Sequence, residues 1–187
     1  MIDTLKSEFP ADWALDPRMT YVVHDDDSKV LNLGAGINPI FGATNHDFYR
    51  TSPDIQVIFD LTQFPYPLPD RSFTKIVAFH VLEHLTVDDG FRFMKEAYRL
   101  LGPSGAIIVE VPDMLGCVHD YLKGNAGIIG RIFSADRGYQ DSHRWGYDRS
   151  SLMMIARLAG FQWILTKGGT DYHSIQIPTI RLESGRG

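Results

Sequence analysis

Three groups of residues carry side chains that could do chemistry. The stretch IVAFHVLEHL (76–85) sets His80, Glu83 and His84 in the order H-x-x-E-H, the spacing by which two histidines one helical turn apart hold zinc while the glutamate activates a water. The stretch LNLGAGINP (31–39) carries Gly34 and Gly36, and two acids follow: Asp47 in GATNHD and Asp60 at the end of IQVIFD. Glycine lets the backbone approach a ligand closely and adopt conformations closed to other residues. A third group, between Met114 and Tyr147, gathers His119, Tyr121, Arg131, Arg137, Tyr139, His143, Arg144, Trp145 and Tyr147.

These groups need a scaffold, and the pattern of apolar runs supplies one. KVLNL (29–33), IQVIF (55–59), KIVAF (75–79) and AIIVEV (106–111) are nearly continuous and rich in β-branched residues, as parallel strands buried on both faces are. Each is expected as a core strand. A helix is expected between the last two: Thr86 caps it, Asp88 and Asp89 favour its positive end, and Phe91, Met94, Tyr98 and Leu101 recur before Gly102 and Pro103. A second helix starts near Asp148 and runs with Leu152, Ile155, Ala156 and Ala159 on one face until Gly160. Two further strands follow, QWILT (162–166) and SIQIPTIRL (174–182), with Pro178 placing part of the second at an edge or bulge. The stretch 37–50 has Pro39, Gly42 and no apolar period, so no full helix is expected there.

At 187 residues the chain fits one domain, 1–187. Hydrophobic residues at 44% and charged residues at 22% describe a globular chain and exclude a disordered or membrane-spanning one. The start, MIDTLKSEFPADWALD, lacks the basic and apolar regions of a signal peptide, and a cytoplasmic location is the expectation. Cys117, the single cysteine, excludes an intramolecular disulfide and a multi-cysteine metal cage. The net charge of −5 argues against a general nucleic-acid binder, and no membrane partner is expected. Charge is uneven, however: residues 1–113 hold 9 Lys+Arg against 17 Asp+Glu, whereas 114–187 hold 9 against 6.

Gly34 and Gly36 fall at the carboxyl end of the first predicted strand, where open α/β sheets bind ligands. The dinucleotide fingerprint G-x-G-x-x-G fits badly, because Pro39 stands where the third glycine belongs and no G-K-[ST] exists for a phosphate loop. The spacing supports a nucleoside-like cofactor reached by two acids. An acid ending the second strand can accept from ribose hydroxyls, and a later one from an adenine amino group; Asp47 and Asp60 stand in those places.

The segments VLNLGAG, NHD, VIFDLTQFPYPLPDRSFTKIVAFHVLEHL, AYRLLGPSGAIIVEVPD and HRWGYDRSSLMMIARLAGF together resemble the class I S-adenosylmethionine-dependent methyltransferases, in particular small bacterial members of the type 11 kind. The resemblance implies a Rossmann-like, seven-stranded, mostly parallel α/β sheet with helices on both faces and an antiparallel terminal strand pair. It implies S-adenosyl-L-methionine as cofactor, with Gly34, Ala35 and Gly36 along its methionine portion and Asn32 nearby. Asp47 would meet the ribose, Asp60 and the backbone of Leu61 the adenine, and Phe79 and His80 the sulfonium and the substrate. The family pattern is not matched everywhere: Asn32 stands for the usual acid, Asn38 for a third glycine, Thr74 for an aspartate and Ser104 for a turn glycine.

On this reading His80 is the candidate base and His143 a second active-site candidate, within an insertion or lid at about 114–147 whose positive charge suits an anionic or sugar-phosphate-like acceptor. The activity implied is methyl transfer to a small-molecule or glycan acceptor. The alternatives are a methyltransferase-fold protein that binds without catalysis, or a macromolecule methyltransferase; against DNA amino methylation stands the absence of N-P-P-[FYW]. The zinc reading recedes. His80 closes a predicted strand, so the two histidines need not share a helical face, and no glutamate stands between Glu110 and Glu183 to act as third ligand. No metal is expected, and H-x-x-E-H becomes a strand-to-helix corner with His80 facing the methyl donor.

Overall fold

The computed structural model describes residues 29–133, 142–168 and 179–185. Residues 1–28, Arg137, Tyr139 and the segment 174–178 with Pro178 lie outside the described residues, as does the side chain of Arg131. Seven strands form one sheet: β1 (Val30–Leu33), β2 (Thr44–Asp47), β3 (Val57–Ile58), β4 (Phe73–Phe79), β5 (Leu101–Pro112), β6 (Trp163–Gly168) and β7 (Thr179–Gly185). Their order across the sheet is β3-β2-β1-β4-β5-β7-β6. The first five strands pair in parallel, and β7 runs antiparallel to both β5 and β6. The strand order reverses between β1 and β4, and that is where a ligand crevice opens in such sheets.

Alternation along the strands sorts side chains to two faces. Leu31, Leu33, Ile76, Ala78, Ile107, Val109 and Val111 join the large core with the helices α1 (Val87–Leu100) and α4 (Arg149–Ala159). Val30, Val77 and Ile108 point the other way, against Ile40 and Ala43 of the connection that follows β1. Among the described residues, the helices that pack into the large core therefore cover one face, and a short loop closes over part of the other.

The capping expectations hold. The Thr86 side chain accepts from the Asp89 N–H, Asp148 and Ser151 form a capping box, and Gly160 ends α4 at φ 110. The buried face of α1 is rotated from the expected one: Gly90, Phe93, Met94, Ala97 and Leu100 are buried, while Phe91 and Tyr98 are only partly so. Leu101 already belongs to β5, which therefore starts before the expected AIIVEV and carries Ser104 at φ 58.

Two strand expectations need correction. The run 55–59 contributes only the two-residue edge strand β3, with Ile58 exposed, because nothing pairs beyond it. The last strand runs past the expected Leu182 to Gly185, between β5 and β6, while the part expected at an edge or bulge around Pro178 lies outside the described residues. One strand was expected only through Asp47 at its end and not from any apolar run: β2 reads Thr-Asn-His-Asp and has no apolar residue. No helix among the described residues is long and apolar enough to cross a membrane.

Candidate active site

The crevice at the reversal point is built first from glycines. Gly34 and Gly36 take φ 69 and 56, in the left-handed region that side chains disfavour. A Cβ on Gly34 would stand 2.6 Å from Cγ2 of Val81, so glycine is also what lets the end of β1 sit against the chain leaving β4. At Gly36 a Cβ would meet nothing within 4 Å, which marks open space directly beside the turn. Asp47 bounds that space from the end of β2. Its Oδ2 accepts from the Gly36 N–H and its Oδ1 from the Phe48 N–H at 2.6 Å. A carboxylate has about four lone-pair positions, so these two bonds leave capacity for hydroxyl donors.

Asp60 stands after the neighbouring strand end, its Oδ1 accepting from the backbone and side chain of Thr62, both at 2.8 Å. Leu61 is partly buried against the large core, and its carbonyl accepts from Tyr66 Oη at 3.0 Å. The turn that would present Asp60 and Leu61 is thus held from beneath.

A buried polar network fixes the glycine turn. Asn45 of β2 accepts from the Ile40 N–H at 2.7 Å and from Asn32 Nδ2 at 2.9 Å, and returns a bond to the Ile40 carbonyl at 2.9 Å. Asn32 is only 3% exposed and also donates to the Asn38 carbonyl at 3.4 Å. The Asn32 amide therefore ties strand to loop. His46, fully buried, receives the Gly34 N–H on Nδ1 at 3.3 Å, so Nε2 carries the proton and donates to the Phe59 carbonyl at 2.9 Å. Burial lowers its pKa, which keeps the ring neutral and this arrangement intact.

Across the crevice, β4 ends at Phe79 and the chain turns sharply. His80 sits at φ 55, its N–H donating to the Glu110 carbonyl at 2.9 Å, and a single 3-10 turn, Leu82–His84, follows. His80 Nδ1 lies 2.9 Å from Glu83 Oε1. Glu83 is 2% exposed; burial alone would raise its pKa, but the hydrogen bond from His80 and the charges of His80, His84 and His143 outweigh that and lower it. The carboxylate is ionised, and it places the His80 proton on Nδ1.

The insertion docks on this corner. It begins with α2 (Met114–Leu122) and α3 (Ile128–Ile132), and its return segment brings the Arg144 and Trp145 N–H groups to the Glu83 carbonyl at 2.7 and 3.2 Å. His143 Nδ1 lies 3.0 Å from the Ile132 carbonyl, and its ring meets that of His84 edge-on at 4.9 Å. Tyr147 is buried, its hydroxyl so close to α1 that a Cβ on Gly90 would stand 2.3 Å from it. Cys117, buried, has its thiol pushed up to about 11 by burial.

The structure thus brings Gly34, Ala35, Gly36 and Asp47 together at one lip, with Asp60 and Leu61 following the next strand. Phe79 and His80 stand at the end of the neighbouring strand β4, just before the Val81 that meets Gly34, and His143 lies beside Glu83, which bonds His80. The sequence assigned no role to Asn45 or His46, and gave Glu83 and His84 one only in the zinc reading that receded. For the first two the signal was a polar run, TNHD, that must still be strand; for the others it was the H-x-x-E-H spacing itself.

Residues 43–109 match the model of a methyltransferase domain. No curated protein matches the chain. Among solved structures, an S-adenosylmethionine-dependent methyltransferase of Archaeoglobus fulgidus aligns with a TM-score of 0.63 at 12% identity, over 99% of this chain and 93% of that one. One of Thermotoga maritima aligns at 0.56 and 18%, over 88% and 84%. The 1,6-didemethyltoxoflavin-N1-methyltransferase of Burkholderia thailandensis, which holds its substrate and S-adenosylhomocysteine, aligns at 0.56 and 13%, over 85% and 71%.

Proposed function

We propose that the chain, whose residues 43–109 match a methyltransferase domain and whose fold is that of S-adenosylmethionine-dependent methyltransferases, is a class I enzyme of that kind and transfers a methyl group from S-adenosylmethionine to a small-molecule or glycan acceptor. The observation that carries this reading is the Gly34–Gly36 turn, clasped by Asp47 and opening onto free space, opposite His80 at the point where the strand order reverses. S-Adenosylmethionine, when bound, supplies a methyl group activated by a sulfonium.

The chain's own residues would do the rest. Gly34, Ala35 and Gly36, held by His46 and Asp47, would present their backbone to the methionine portion with Asn32 nearby; Asp47 would accept from the ribose hydroxyls, and Asp60 with Leu61 would meet the adenine. Phe79 and His80 would border the reacting carbon. Displacement at carbon needs alignment and exclusion of water above all. Where the acceptor carries a proton, His80 is the base, because Glu83 holds the proton on Nδ1 and stabilises the imidazolium that would form. His143 lies on the acceptor side, and the exposed Arg144 beside it fits an anionic or sugar-phosphate-like acceptor. In this reading 1–187 is one methyltransferase domain with its acceptor side shaped by the insertion at about 114–147.

Calorimetric titration with S-adenosylmethionine tests the cofactor step. The wild type should bind one equivalent, and Asp47→Ala should weaken binding by about tenfold or more, the value of a charge-assisted hydrogen bond. No binding at millimolar cofactor would defeat the reading. Transfer of labelled methyl groups to a panel of hydroxyl and amine acceptors, with and without phosphate, would then separate an enzyme from a cofactor-binding protein.

A further inference from the structure

Glu83, His84 and His143 each bring a donor atom within 4.8 Å of the other two. The hydrogen bonds of the corner leave particular atoms over. Glu83 Oε1 is engaged by His80, while Glu83 Oε2 is buried with no hydrogen-bond partner. His84 Nδ1 is likewise buried without one. His143 Nδ1 can meet the Ile132 carbonyl only as an N–H donor, which makes Nε2 its lone-pair nitrogen. This is the outer support that metal-ligating histidines ordinarily have, with one ring nitrogen donating to a carbonyl and the other turned to the ion. A small cavity of about 10 Å³ lies against Glu83, Met114, Cys117, Ile132, His143 and Trp145, room for one water-sized occupant.

No hydrogen bond within the cluster engages Glu83 Oε2 or His84 Nδ1, whereas one divalent ion would engage a donor atom of all three side chains at once. We propose that Glu83, His84 and His143 form a binding site for a divalent transition-metal ion of the zinc class. Two imidazoles and one carboxylate are the donor set of zinc sites that keep a coordination position open. The H-x-x-E-H stretch thus contributes its last two residues as ligands. His80 supports the carboxylate from behind, and the third ligand comes from the insertion instead of a downstream glutamate. The site stands on these side chains alone and does not depend on the methyl-transfer reading.

The test uses the full-length protein, stripped of metal by chelation and dialysis, without S-adenosylmethionine, so that failure here and failure of cofactor binding are separate results. Zn2+ should bind with one-to-one stoichiometry by calorimetry, and Co2+ should give the visible absorption of a four- or five-coordinate nitrogen–oxygen site. His84→Ala and His143→Ala should each weaken Zn2+ binding by at least about tenfold, the scale on which even a supporting residue matters. Ring 15N signals of His84 and His143 in the wild type should shift on Zn2+ addition, which needs no variant to fold. Three results would overturn the proposal: no saturable binding up to about 100 µM Zn2+, an affinity too weak for a built site; binding that the two variants leave unchanged; or ring signals of His84 and His143 that do not move at saturation.

Discussion

The two lips of the crevice are both polar and both buried, yet they differ in what their polar atoms have left to give. At the β1–β2 lip, Asn32, Asn45 and His46 hold one another and the loop backbone through a chain of hydrogen bonds. At the β4 lip, Glu83 and His84 keep atoms with no hydrogen-bond partner, and the His–Glu pair is reinforced by charge. The first lip is a fastening, whose groups face inward to shape a turn. The second keeps spare lone pairs, and buried polar groups left in that state cost stability unless something else engages them.

If that contrast is right, Asn45→Ala should have the largest effect on folding. It strips partners from the Ile40 N–H, the Ile40 carbonyl and Asn32 Nδ2, and at about 1–3 kcal/mol for each buried group left unsatisfied the loss should reach about 3 kcal/mol or more in urea unfolding. A loss below about 1 kcal/mol would show that water replaces the network, and the fastening would be no different from the other lip.

His46 makes the next prediction, through pH. Its pKa in the folded state is lowered, first by burial, from the ordinary value of 6.5. Below that value the unfolded chain takes up the proton more readily than the folded one, so stability falls as pH drops through the unfolded pKa and on toward the folded one, and is fully kept above it. The urea midpoint should therefore fall between about pH 7 and pH 5, and His46→Gln, which cannot titrate, should flatten that slope. Equal slopes in the two proteins would mean that another group sets the pH dependence.

The smallest effect belongs to the other lip. In metal-free protein His143→Ala removes one hydrogen bond to a carbonyl and a ring contact from a half-buried side chain, and should cost about 1 kcal/mol or less. A loss as large as that of Asn45→Ala would erase the distinction between the two lips.

The same contrast explains what could be read from the sequence. β1, β4 and β5 announce themselves because both of their faces are apolar, and α1 and α4 because cap residues stand at their ends. β2 was legible only through Asp47 at its end, because its four residues are polar and its stability rests on partners that only the folded chain supplies. IQVIF misled in the opposite sense: apolar composition suggested a central strand, but its position past β2 leaves Ile58 in solvent. In the site, glycines and acids were legible because a turn and a strand end constrain residue type. Glu83, His84 and His143 were not legible as a set, since 59 positions separate His84 from His143 and only the docking of the insertion brings them together.

The place of β7 bears on how such a chain emerges from the ribosome. β5 and β6 are both synthesised before β7, yet neither touches the other; each pairs with β7 on its free side. Until residues 179–185 have been made, the nascent chain therefore carries Ala106–Pro112 of β5, the seven residues that β7 later covers, as an open edge. An unpaired edge of that length is a template for pairing with another chain. The interval between translating Pro112 and translating Gly185 is accordingly the period in which this edge stands open, and a message cut short before Thr179 would yield a chain whose longest strand, though paired with β4, keeps its other edge bare.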